Sequence, residues 1–181
     1  MNADEQSSKP LFSIVIVNWN TGALLAACLE SVAANVTVAH EVIVVDNNST
    51  DGSAEMVRSR FPWAKSIALA ENTGFSRGNN TGLEAARGSI LLLLNPDTVI
   101  RPGTLEALAG FFAAHPKAGM AGPPLWNTDG SPQVYPERLP TLAREFMSQA
   151  MLYGLFRRRG YGAQPTEPRR VENLPGAALA V

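Results

Sequence analysis

Ser89-Ile90-Leu91-Leu92-Leu93-Leu94-Asn95-Pro96-Asp97 is an apolar run of strand length that stops at a polar turn. Such a run suits a strand buried on both faces, as in a parallel sheet covered by helices. Proline ends the hydrogen-bonding ladder and forces the turn. Asp97 therefore falls just beyond the carboxyl end of a central strand, the edge at which open α/β sheets bind ligands. An aspartate there serves equally well as a turn residue, so the neighbouring segments decide between turn and site.

Working outward, the same pattern recurs. Leu11–Val17 is a β-branched run ending at Asn18-Trp19-Asn20-Thr21-Gly22, and Val42–Val45 ends at Asp46-Asn47-Asn48-Ser49-Thr50-Asp51-Gly52. Ser66–Ala70 fits a third, shorter strand, and Ala118–Gly122 a further one. Between them lie helical patterns. Leu25, Cys28, Leu29 and Val32 share one face of a helix with Asn20 or Thr21 as cap, and Ser49 or Thr50 caps a helix over Ser53–Arg60. Thr81–Arg87 is helix-like with Gly88 as C-cap, and Thr104 caps a further helix with Leu105, Leu108 and Phe112 on one face. Strands alternating with helices over short links imply right-handed βαβ units and a mostly parallel sheet, an α/β fold. Three regions are expected: a polar tail over 1–10, an α/β domain over 11–122, and a Pro-rich loop with a helix (Thr141–Phe156) and an incipient strand over 123–181.

The bulk composition, 45% hydrophobic and 17% charged over 181 residues, is that of a globular chain with a real core. A net charge of −1 gives no overall pull towards nucleic acid. Residues 1–140 carry 9 basic and 13 acidic side chains, residues 141–181 carry 6 and 3, so the basic surplus sits at the C-terminal end. There, Arg157-Arg158-Arg159 follows a semi-apolar helix and is a candidate for peripheral contact with anionic lipid; a solvated face is the plainer alternative. The single cysteine, Cys28, cannot pair within the chain and reads as a small buried thiol. Met1–Pro10 lacks a signal-peptide core, and no apolar run reaches the roughly 20 residues that span a bilayer. A cytoplasmic protein, soluble or peripheral at the inner face of the membrane, is the expectation.

In a parallel sheet the polar strand ends gather on one edge: Asn18 with Asn20, Asp46 with Asn48, Asn95 with Asp97. A carboxylate such as Asp46 can accept hydrogen bonds from a ribose hydroxyl or a base N–H, and Asp97 can offer oxygen to a hard divalent cation that bridges a diphosphate. Mg²⁺ commonly uses only one or two carboxylates beside phosphates and water, so one aspartate suffices. Helix starts behind Ser49, Gly78 and Thr104 offer N–H groups suited to anions. Asn72, Asn79 and Asn80 serve as well in Asx turns as in a ligand site, and Arg77 as well in solvent as on a diphosphate. Trp19 is expected to pack at the site's wall. Gly74, Gly78 and Gly82 do not follow the first strand, so they do not form a dinucleotide-binding loop.

Taken together, Ser13–Asn20, Val44–Ser53, Asn72–Phe75, Gly78–Gly82 and Leu94–Asp97 resemble the motifs of family 2 glycosyltransferases, in particular the rhamnosyltransferase-like branch that builds bacterial cell-surface polysaccharide. The resemblance runs from about Leu11 to the last residue. It implies the GT-A fold, Rossmann-like, with a nucleotide-diphospho-sugar donor, a divalent metal (Mg²⁺ or Mn²⁺), a saccharide or lipid-linked acceptor, and inversion at the anomeric carbon. Rhamnose is one candidate sugar. Carried over by position, Asn18 and Asp46 contact base and ribose, Asn48 lies in the same loop, and Asn72, Gly74 and Asn79 line nucleotide and diphosphate; Arg77, from the residues alone, is a further candidate for the diphosphate. Asn95-Pro96-Asp97 stands where the family has its D-x-D, Asn95 replacing the first aspartate, and Asp97 is the implied metal ligand.

The family's acidic E-D motif, source of the general base, is expected beyond Val181, and no catalytic base is assigned within these residues. Asp129 and Glu137, in the Pro-rich loop, are weak stand-ins. Read this way, the chain is a truncated donor-binding part, with little transfer activity of its own. The alternative is a module that holds a nucleotide-sugar and catalyses nothing.

Overall fold

The computed structural model describes residues 9–133 and 167–181. The chain divides into two compact units, Met1–Pro123 with Gly176–Val181, and Pro124–Pro175. In the first, β1 (Phe12–Asn18), α1 (Gly22–Asn35), β2 (His40–Asp46), α2 (Ser53–Arg60), β3 (Lys65–Ala68), α3 (Phe75–Glu84), β4 (Ile90–Leu94), α4 (Thr104–Ala114) and β5 (Ala178–Ala180) follow one another. The sheet order is β3-β2-β1-β4-β5. Its first four strands are mutually parallel, and β5 is antiparallel to β4, pairing Leu93 with Leu179. The fold is thus the mostly parallel α/β sheet expected, closed at one edge by a reversed strand.

β1 is central, and all seven of its residues are buried, which is why its middle, Ile14–Val17, is apolar throughout and its two polar residues, Ser13 and Asn18, are hydrogen-bonded. The apolar face expected of α1 forms as predicted: Leu25, Cys28, Leu29 and Val32 are fully buried. Leu105 and Leu108 of α4 are buried as well.

Four details differ from the sequence reading. α3 begins at Phe75, not near Thr81, and ends at Glu84. Gly88 caps no helix; it lies against β1, where a Cβ would stand 2.4 Å from the Ser13 backbone nitrogen, so glycine there answers a close approach. Ala118–Gly122 forms no strand; only Ala121 bridges Ala180, through two 2.8 Å hydrogen bonds, before Gly122 and Pro123 end the pairing. The expected helix caps also have other duties. Thr21 does hold the N-cap position of α1, but its hydroxyl donates to Asn18; Ser49 joins the β1 end, and the N-cap positions of α2 and α4 are Gly52 and Gly103, both left-handed.

In the second unit, Asn127–Ser131 closes a tight turn, with Trp126 bridging Pro132. The helix expected over Thr141–Phe156, the Arg157–Arg159 segment and Glu137 lie outside the described residues.

Candidate functional site

β1 and β2 run in register to their ends, so Asn18 and Asp46 sit side by side at the carboxyl edge. Asn18 is fully buried. Its Nδ2 donates towards Asp46 Oδ1 (2.9 Å), Ser49 Oγ (3.0 Å) and Ser53 Oγ (2.7 Å), while its Oδ1 accepts from Thr21 Oγ1 (2.7 Å). Two amide hydrogens face three acceptors, so one contact is shared. Every polar atom of the Asn18 side chain is committed inside the protein, and it orients its neighbours instead of facing solvent.

Asp46, 4% exposed, is the most important of those neighbours. Its second oxygen accepts from the Ser49 backbone N–H at 3.0 Å. Each carboxylate oxygen has two lone pairs, so acceptor capacity remains on both. The loop beyond it is pinned by turn geometry that asparagine tolerates: Asn20 and Asn48 both adopt positive φ, 54° and 63°. Asn20 Oδ1 accepts from the Thr50 N–H at 2.8 Å. Asn48 itself is exposed.

Asp51 ties the two helix starts together. One carboxylate oxygen accepts from Gly22 N–H at the start of α1, the other from Ser53 at the start of α2. The hydrogen bonds from Ser53 and Gly22 hold its pKa below the ordinary value despite slight desolvation. Those helix ends are therefore already served by a carboxylate and are poor sites for an incoming anion.

Asn47 had no assigned role in the sequence reading, yet it is buried and links β2 to the next loop. Its Nδ2 donates to Asn72 Oδ1 at 2.8 Å, and its Oδ1 accepts from Thr73 N–H at 2.9 Å. Asn72 Oδ1 also accepts from Gly74 N–H at 2.9 Å. The consequence is a fixed entry into α3 at Gly74, whose φ of 83° suits glycine. No side chain caps α3, and its first turn holds no acid, so its N–H groups and the exposed Arg77 present positive charge at this edge. Asn79 is buried and donates to Phe75 O at 2.9 Å, back along its own helix. Of the cluster around Asp46, the strand-end polar run Asn47–Ser53 was the available signal; which of its members turn inward was not.

Past β4, Asn95 is half-buried; its N–H is held by Ala177 O at 2.9 Å and its carbonyl accepts from Thr98 N–H at 3.1 Å. Asp97, at the tip of this turn, is exposed. Beneath it, burial and then the Asp97 charge push the Cys28 thiol up to about 12, so that thiol is inert. Among the described residues no three His, Cys, Asp or Glu side chains converge as a metal cage. One exposed carboxylate fits a hard cation whose other ligands are phosphate oxygens and water. Trp19 does not pack as expected: it is 56% exposed on the same edge. No helix among the described residues is long and apolar enough to cross a membrane.

With this geometry in place, comparison with known proteins is specific. Residues 13–168 match the family model for glycosyl transferase family 2. An N-acetylglucosaminyl-diphospho-decaprenol L-rhamnosyltransferase of Mycobacterium tuberculosis is 29% identical over 188 residues, covering 93% of this chain and 60% of that protein. A PGL/p-HBAD biosynthesis glycosyltransferase of Mycobacterium bovis is 32% identical over 110 residues, covering 59% of this chain and 43% of that protein. The chain spans 37% to 60% of the length of such relatives. Among solved structures, Staphylococcus aureus TarS 1–349 in complex with UDP-GlcNAc superposes with TM-score 0.54 at 28% identity, over 57% of this chain and 31% of that one. The mannosyltransferase PcManGT from Pyrobaculum calidifontis, in complex with GDP-Man and Mn²⁺, shares the fold with TM-score 0.57 at 23% identity, over 67% of this chain and 37% of that one.

Proposed function

The chain belongs to glycosyl transferase family 2, and from that premise we propose that its carboxyl sheet edge binds the nucleotide-diphospho-sugar donor of an inverting sugar transfer in cell-surface polysaccharide synthesis. The observation that carries this reading is the convergence on one edge of Asp46, the uncapped start of α3 and the exposed Asp97. Asp46, held by Asn18 and Ser49, accepts from base or ribose through its remaining lone pairs. Asn18 acts as the positioning residue of that contact. Gly74–Arg77 offers backbone N–H groups and a guanidinium to the diphosphate. Asp97 holds a Mg²⁺ or Mn²⁺ ion, which when bound supplies charge neutralisation of the leaving diphosphate.

In the transfer, an acceptor hydroxyl bonds to the anomeric carbon as the bond from that carbon to the diphosphate oxygen breaks. A base takes the hydroxyl proton. We assign no base among the described residues; Asp129 is committed to the Ser131 N–H and hydroxyl of its own turn. Rhamnose as the sugar and a polyprenyl-diphosphate-linked saccharide as the acceptor are the working assignments, supported by the name of the M. tuberculosis relative.

Calorimetry of the 181-residue chain against UDP-, dTDP- and GDP-sugars, with and without Mn²⁺, tests the reading. At least one donor binds, Mn²⁺ strengthens its binding, and Asp97→Ala removes most of that increment, about tenfold or more, on the order of one charge-assisted contact. Absence of binding by every donor sinks the proposal, and an unchanged increment in Asp97→Ala sinks the assignment of the metal.

A further inference from the structure

We propose that Ser31 and Asn35 of α1 are positioning residues for Asp97, clamping the turn that carries it from below. The inference rests on the reading of Asp97 as the metal ligand and adds the residues that fix its place.

Three residues beyond Asp97, the chain is gripped by both polar groups of Ile100. Ser31 Oγ, in a side chain 7% exposed, accepts from the Ile100 N–H at 2.9 Å and donates to Cys28 O at 2.7 Å. Asn35 Nδ2, one turn further along α1, donates to Ile100 O at 2.8 Å. The Ile100 side chain is itself buried, 3% exposed, and anchors the segment by packing. At the other end of the turn, Asn95 N–H donates to Ala177 O, and the Cys28 thiol lies 3.9 Å from Asn95 O. Asp97 is thus the exposed crest of a short arch whose feet, Asn95 and Ile100, are both fixed.

The choice of residues in α1 supports the same reading. Serine and asparagine are mediocre helix formers, because their side chains compete for backbone groups. Here both side chains make backbone hydrogen bonds, and both reach the same residue, 69 and 65 positions away. A single lone carboxylate gains affinity for a cation only if it is held where the phosphates deliver that cation, since ordering it afterwards costs entropy. A clamp on the arch supplies that order in advance.

The test uses the full 181-residue chain, Mn²⁺, and UDP and dTDP in parallel, with free Mn²⁺ read by electron paramagnetic resonance and nucleotide binding read by calorimetry. Ser31→Ala and Asn35→Ala each raise the apparent Mn²⁺ dissociation constant in saturating nucleotide by about threefold or more, as loss of preorganisation predicts. Metal-free nucleotide binding stays at the wild-type value, because the Asp46 side of the site is untouched. Equal Mn²⁺ affinity in wild type and both variants overturns the clamp, and so does a parallel loss of metal-free nucleotide binding. If Asp97→Ala also binds Mn²⁺ as wild type does, the metal assignment fails first and the clamp with it. Should Ser31→Ala not fold, Asn35→Ala, half-buried near the end of α1, decides alone.

Discussion

Asn18 and Asn48 are the same residue type at neighbouring strand ends, and they have opposite fates. Asn18 is fully buried with its amide committed to Asp46, Ser49, Ser53 and Thr21; Asn48 is exposed in a left-handed turn. Their position at a polar edge was legible in the sequence, because each follows a strand. Which one turns inward was not, because that depends on the register of β1 with β2 and on Ser53, 35 residues away. The energetic asymmetry can be measured. Asn18→Ala strips a donor from a buried carboxylate and takes the acceptor of the Thr21 hydroxyl, while Ser49 Oγ keeps the Asn20 N–H and Ser53 Oγ keeps Asp51. An unpaired buried polar group costs about 1–3 kcal/mol, more for a charged one, so the expected loss is about 3 kcal/mol. Urea unfolding followed by circular dichroism checks it. A loss below about 1 kcal/mol would mean that water replaces the amide, and that Asp46 is less dependent on Asn18 than its hydrogen bonds indicate.

At the scale of the element, α3 shows why its first turn and a half read as loop. Gly74-Phe75-Ser76-Arg77-Gly78-Asn79-Asn80 is rich in poor helix formers, so local propensity argues against a helix. The helix forms because those same small residues let it lie close to the sheet. A Cβ on Gly78 would stand 2.8 Å from Val17 Cγ1, and one on Gly82 only 2.3 Å from Val15 Cγ1. Tertiary approach outweighs propensity here, and a one-dimensional reading has no access to that distance. Gly82→Ala forces α3 off β1, and Val15, fully buried, has no room to swing away. Overpacking of this kind costs about 1–3 kcal/mol. Gly110 in α4 is the contrasting case. It is exposed, with nothing within 4 Å of where a methyl group would sit. Gly110→Ala therefore gains about 0.5–1 kcal/mol. Thermal unfolding of the two variants separates the effects by sign. If both shift the midpoint the same way, close helix–sheet approach is not what holds α3.

For the molecule as a whole, alternating strand and helix patterns made the parallel α/β class legible, and the incipient strand at the end of the chain forms as β5, whereas its antiparallel sense was not legible, since the direction of a three-residue strand is set by its partner β4 more than by its own composition. The amino-terminal end of the sheet was also silent in sequence, and it carries a network that sets acid sensitivity. Glu41, at the start of β2, accepts from Ser13 Oγ of β1 at 2.6 Å and from the Arg87 N–H at 2.6 Å, and its second oxygen meets the Arg87 guanidinium at 3.1 Å. Ser13 Oγ in turn receives the Gly88 N–H at 2.7 Å, so β1, β2 and the link from α3 to β4 share one knot. Partial burial of Glu41 by itself raises its pKa; the hydrogen bonds from Ser13 and Arg87 and the Arg87 charge outweigh that and hold it below the ordinary 4.5. A carboxyl depressed in the folded state adds stability that is fully present above its unfolded value and is lost as pH falls through the folded value. Stability should therefore fall as pH drops below about 4.5, with Asp51 and Glu106, lowered by Ser53 and by Thr37 respectively, adding to the slope. Glu41→Gln cannot titrate, so it starts less stable at neutral pH and loses less on acidification. Urea midpoints measured from about pH 7 to about pH 3 should converge for the two proteins at the acid end. Parallel curves, a constant gap at every pH, would place the acid lability elsewhere and leave the Ser13–Glu41–Arg87 knot as packing alone.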